Sequence, residues 1–159
     1  REKSGWDTKT KGLYRGVAAY YCHNSYVAQV VDVVMENDKP QISKIWCAID
    51  CGILVNKIGA LNQVEGGIID GIGHTLYSQI NFKNGSPVQN NFDSYRLIRH
   101  HEANPDIEIF FVENNIDPTG LGEPPFPPIS GAVANAMYLA TGKRWYHQPY
   151  MVLDQEEAV

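Results

Sequence analysis

The sequence predicts an α+β domain: a mainly antiparallel or mixed sheet with two principal helices packed on it. Three observations carry this. Runs rich in Val, Tyr and Ile follow one another over Gly16–Cys22, Tyr26–Met35 and Gln41–Cys51, with short polar joints. That is the pattern of successive strands. The apolar period then changes to three and four at Leu61, Val64, Ile68, Ile72 and Leu76, the stripe of a helix. A second stripe follows in Ile129–Thr141, where Ala132, Ala136 and Ala140 share a face.

Taken in order, residues 1–14 are polar and basic and read as a lead-in. The first two runs, joined by His23-Asn24-Ser25, form a β-hairpin. Asn37–Pro40 is a turn, and the third run completes an antiparallel meander. Asn56 is placed to cap the first helix. That helix carries Gly66, Gly67, Gly71 and Gly73, each costing about 0.5–1 kcal/mol relative to Ala. Either the helix packs tightly on the sheet, or a ligand or neighbouring domain lies against its backbone. Asn84-Gly85, between Ile80–Lys83 and Pro87–Phe92, signals a type I′ hairpin. Ile107–Glu113 alternates as a strand, and residues 114–128 are loop. The second helix closes at Gly142, with Lys143 and Arg144 after it.

The 159 residues, 1–159, are read as a single domain. With 43% hydrophobic and 19% charged residues, the balance is globular and excludes a disordered chain. A net charge of −5 argues against a nucleic-acid partner. No apolar run approaches the roughly 18 residues that would cross a bilayer, and no targeting signal opens the chain. The compartment stays open. The chain starts at Arg1 and its first Met is Met35, so it reads as a piece of a longer protein. Cys22, Cys47 and Cys51 do not form a disulfide framework. On one strand, Cys47 and Cys51 would lie about 13 Å apart, beyond the roughly 7 Å a disulfide allows. The histidines, His23 among them, show no ligand spacing, and no protein-ligated metal is expected.

The stretch that carries chemistry is Pro118-Thr119-Gly120-Leu121-Gly122-Glu123-Pro124-Pro125-Phe126-Pro127-Pro128. Four prolines follow one glutamate, so the loop cannot join a ladder or a helix interior; a rigid, extended segment is expected. Gly120 and Gly122 permit close approach beside the acid. Glu123 is then either a surface acid or a positioned carboxylate, which desolvation would tune toward a general base.

Gly120–Pro125, followed by Ala132–Ala136 and Ala140–Arg144, resembles the C-terminal end of the molybdenum hydroxylases, the xanthine dehydrogenase and aldehyde oxidoreductase family. Ala48–Gly52, Val55-Asn56, Gln63-x-Glu65-Gly66-Gly67 and Asp70–Gly73 match in the same order. Gly5-Trp6, Ser25–Val30, Gln89-x-Asn91-Phe92-x-x-Tyr95 and Pro105-x-Ile107-Glu108 resemble the branch of isoquinoline 1-oxidoreductase large subunits and related bacterial aldehyde dehydrogenases. The likeness runs from about Gly5 to Pro149. It implies the C-terminal portion of a molybdopterin-binding domain, with molybdenum held by the cofactor, in its cytosine dinucleotide form in bacteria. It implies Glu123 as the base acting on the Mo–OH group during oxidation of an aldehyde or N-heterocycle with oxygen from water. Gln63, Gly66 and Gly122 would border the cofactor. The implied partners are the rest of the molybdenum subunit and an iron–sulfur subunit or domain. Pro125 stands where this branch more often has Gly, which stiffens the loop and brings Phe126 toward the substrate. The fragment alone is expected to be inactive and to self-associate through its uncovered face. The alternative is a non-catalytic docking module of a larger redox complex.

Overall fold

Three long strands fold back on one another in the computed structural model, which describes residues 1–151. They are β1 (Tyr14–Cys22), β2 (Ser25–Glu36) and β3 (Lys39–Asp50). Two-residue turns join them, His23-Asn24 and Asn37-Asp38, and all four residues have φ between 50° and 61°. Such turns match the twist of antiparallel strands. After β3 come α1 (Lys57–Leu76), the two-residue strands β4 (Phe82–Lys83) and β5 (Ser86–Pro87), β6 (Asp106–Phe111) and α2 (Pro128–Thr141). The main sheet has the order β1-β2-β3-β6, antiparallel except that β6 runs parallel to β3. The α+β class and the mixed sheet are as the sequence predicts. Residues 152–159 of the proposed domain lie outside the described residues.

One face of the sheet is the core. Val27, Val31 and Val33 of β2 and Ile45, Cys47 and Ile49 of β3 are buried. Over them lie Ile129, Ala132, Val133, Ala136 and Met137 of α2, and Val64, Ile68, Ile72 and Leu76 of α1. Each buried Val, Ile, Leu or Met among them contributes about 1.5–3 kcal/mol by leaving water. The alanine face of α2 has a steric cause. A Cβ on Gly16 would overlap the Ala132 carbonyl oxygen and come within 2.6 Å of the Ala136 nitrogen, so helix backbone rests on strand backbone. A bulge falls at Asp32/Val33, and Arg15, the cross-strand partner of Asp32, grips its carboxylate with two bonds of 2.5 and 2.7 Å.

Asn56 caps α1, its Oδ1 accepting from the Gly59 N–H at 3.1 Å. Gly67, Gly71 and Gly73 of α1 serve close packing, but not on the sheet. A Cβ at Gly67 would lie 2.9 Å from Pro125 Cγ, one at Gly71 2.7 Å from the Phe126 carbonyl oxygen, and one at Gly73 3.1 Å from Ile98 Cγ2. The helix is pressed against the proline loop and the segment around Ile98. The hairpin at Asn84-Gly85 forms, with φ of 53° and 80°, but its strands are shorter than expected and exposed. The outer face of the main sheet carries Val17, Tyr21, Tyr26 and Val112, all more than 40% exposed.

Candidate functional site

The proline loop is tied down by partners far away in sequence. Thr119 N–H donates to the Cys51 carbonyl at 2.9 Å, and Gly120 N–H to the His23 carbonyl at 3.0 Å. The Ser25 hydroxyl bonds the Thr119 hydroxyl at 2.7 Å and also reaches the Gly120 carbonyl. From the middle of β2, buried Gln29 donates its Nε2–H to the Pro125 carbonyl at 2.6 Å. Pro124 and Pro125 are buried. The loop is not extended as the prolines suggest: Phe126 N–H donates to the Glu123 carbonyl at 2.9 Å, closing a turn over Glu123–Phe126. The φ that proline fixes suits a turn as well as an extended chain. The bond from Gln29 then holds the turn against the sheet.

This turn faces α1. Gly122 lies so close to Gln63 that a Cβ there would come within 2.7 Å of Gln63 Nε2. Between turn and helix opens a cavity of about 590 Å³, lined by Gln63, Gly66, Asp70, Gly122, Glu123 and Phe126 among others. All four residues singled out from the sequence, Gln63, Gly66, Gly122 and Glu123, border it. Gly66 differs from its neighbours: a Cβ there would meet nothing within 4 Å, so its face of the helix backbone is open to the cavity. Phe126 sets its ring edge-on to His74, 5.1 Å between centroids at 71°.

The Glu123 side chain is 63% exposed, so the desolvation that would tune a base does not come from this chain's described residues alone. One functional neighbour was passed over in the sequence. His23 Nε2 lies 3.0 Å from Glu123 Oε2, across 100 positions of chain. Since an ionised carboxylate only accepts, the imidazole Nε2–H is the donor. No local spacing reveals this pair. Gln29 was legible: a polar residue among Val27, Val31 and Val33 on the inward face of a strand needs a buried partner.

Residues 3–104 match the family model described as a molybdopterin cofactor-binding domain. The match includes Gln63 and Gly66, while Gly122 and Glu123 lie beyond it. The chain is 32% identical over 145 residues to a membrane-bound aldehyde dehydrogenase (pyrroloquinoline-quinone) from Gluconacetobacter polyoxogenes, covering 91% of this chain and 18% of that protein. It is 28% identical over 148 residues to the isoquinoline 1-oxidoreductase subunit beta of Brevundimonas diminuta, covering 89% and 19%. The crystal structure of the aldehyde oxidoreductase from Desulfovibrio desulfuricans superposes with a TM-score of 0.65 at 28% identity, over 79% of this chain and 14% of that one. The chain thus spans less than a fifth of the length of these relatives. By fold and by sequence it belongs to the molybdopterin cofactor-binding domain family, among the molybdenum-binding subunits of the xanthine dehydrogenase and aldehyde oxidoreductase group.

Proposed function

We propose that this chain is the part of a molybdenum hydroxylase that carries the base of the reaction, Glu123, with Gln63, Gly66 and Gly122 at the cofactor. The observation that supports this best is that these four residues border one cavity. The cavity also fits the group. Gly66 leaves a stretch of helix backbone uncovered, with nothing within 4 Å of where a Cβ would stand, and Gln63 sets an amide beside it. Gln63 and Gly66 would hold the pterin end of the cofactor, which we take to be the cytosine dinucleotide form. When bound, the molybdenum cofactor supplies the two-electron oxidation, with water as the oxygen source.

The chain's own residues then have distinct work. Glu123 accepts a proton at a carboxylate oxygen as the carbon–oxygen bond forms, a contribution of about 10²–10⁴-fold for a positioned base. His23 donates to Oε2 and orients the carboxylate, leaving the other oxygen for the proton. The buried Pro124 and Pro125, the turn bond to Phe126 and the grip of Gln29 hold the Glu123 backbone in place. Phe126 lends an apolar wall against which a flat substrate would lie. The substrate class we infer is an aldehyde or N-heterocycle, in line with the activities named for the relatives. The partners we infer are the rest of the molybdenum subunit and an iron–sulfur subunit or domain that takes the electrons. The 159 residues alone are expected to be inactive.

The reaction class is tested by supplying the parent holoenzyme with an aldehyde or N-heterocycle in heavy-oxygen water. Heavy oxygen should accumulate in the product over repeated turnovers. Incorporation from dioxygen instead would overturn the reading.

A further inference from the structure

We infer that Cys22, His23 and Glu123 together form a binding site for a zinc-class divalent cation. The thiol sulfur, an imidazole nitrogen and a carboxylate oxygen of these residues all lie within 4.8 Å of one another. Sulfur, imidazole and carboxylate are the donors that zinc takes, and a thiolate selects against magnesium and calcium. Three protein donors leave a fourth position for water. The half-open setting supplies it, since the side chains of His23 and Glu123 are 57% and 63% exposed.

The three donors come from two elements that the fold bolts together. Cys22 ends β1 and pairs with Ser25 across the turn. Ser25 in turn bonds Thr119, and the His23 carbonyl accepts from Gly120. A Cβ on Gly120 would collide with the His23 side chain, so the turn and the Glu123 loop sit in direct contact. The donors therefore need only small rotations to converge. On binding, the Cys22 thiol gives up its proton to solvent. The expectation of no protein-ligated metal weighed only spacings along the chain, and this cluster joins Cys22 and His23 to the distant Glu123. Binding does not depend on Glu123 being a base. If it is one, a cation on the carboxylate makes it a weaker base, and turnover falls.

The test is titration of the full chain with Co²⁺, the coloured stand-in for Zn²⁺. A single cobalt per chain should bind, with intense near-ultraviolet absorption from a thiolate ligand. Cys22→Ser should abolish that band. His23→Gln should weaken binding at least about tenfold, and His101→Gln, an exposed control away from the cluster, should leave it unchanged. Zn²⁺ should displace the cobalt and protect Cys22 from maleimide. Circular dichroism of each variant verifies that it is folded, and maleimide protection in the unmutated chain reads the site without any variant. The inference is overturned if the thiolate band is absent, if it survives Cys22→Ser, or if Zn²⁺ leaves Cys22 labelling unchanged at about 1 mM. No turnover is measured, so failure here leaves the assignment of Glu123 as base standing.

Discussion

Glu123 reaches its place through residues that share no neighbourhood in the sequence: Gln29 behind its loop, Gln63 across the cavity and His23 on its carboxylate. Of these, Gln29 bears most on stability. Gln29→Leu keeps the apolar character of the β2 face but leaves the Pro125 carbonyl without its donor. A loss of about 1–3 kcal/mol is expected, read as a lower urea midpoint; an unchanged midpoint would show that the loop holds without the strand. The cysteines divide by burial. Cys47 and Cys51 are buried, and burial pushes the Cys47 thiol up to about 12. Under native conditions a thiol reagent should therefore label Cys22 first, and the other two only after denaturation. Equal rates for all three would contradict the core as described. The sequence told that these cysteines form no disulfide framework, but not that Cys22 faces Glu123. That contact is made by the turn and the loop folding together, and no local pattern records it.

At the level of elements, the strongest constraint is the contact of α2 with β1. Gly16→Val would force the helix off the strand, since backbone atoms occupy the space a side chain needs. Overpacking of this kind costs about 1–3 kcal/mol, and a thermal melt of the variant should fall accordingly. Near the end of α1, Arg96 stacks on Tyr77, 4.6 Å from its ring centroid, and bonds Glu102, which also accepts from the Arg99 N–H. The Arg96 guanidinium holds the Glu102 carboxyl below its ordinary value of 4.5. A lowered acid stabilises the fold fully above that ordinary value and loses its effect as pH falls through the lowered one. The gap in stability between the unmutated chain and Glu102→Gln should therefore shrink as pH falls below about 4.5; a gap constant with pH would refute the pair. The long strands and both helices were legible because each repeats its period over many residues. The parallel pairing of β6 was not, since a long crossover from β3 leaves its direction open. The turn at Glu123–Phe126 was missed because proline excludes ladders without choosing between an extended chain and a turn.

Over the whole molecule, the two sides of the sheet differ in kind. One is closed by helices, while the other leaves Val17, Tyr21, Tyr26 and Val112 in contact with solvent. Contiguous apolar patches of this sort mark interfaces. The 159-residue chain is expected to self-associate with concentration in sedimentation experiments, and Tyr26→Lys should reduce this; a monomer at all concentrations would contradict it. Covering elements from the rest of a longer subunit would likewise supply the burial that Glu123 lacks here. The central claim is that Glu123 is the base beside a molybdenum cofactor. The most direct measurement is turnover and molybdenum content of the parent holoenzyme carrying Glu123→Gln. A rate reduced at least about 10²-fold with full molybdenum content is the expected result. Retention of more than about a tenth of the unmutated rate, at full molybdenum content, would contradict the claim.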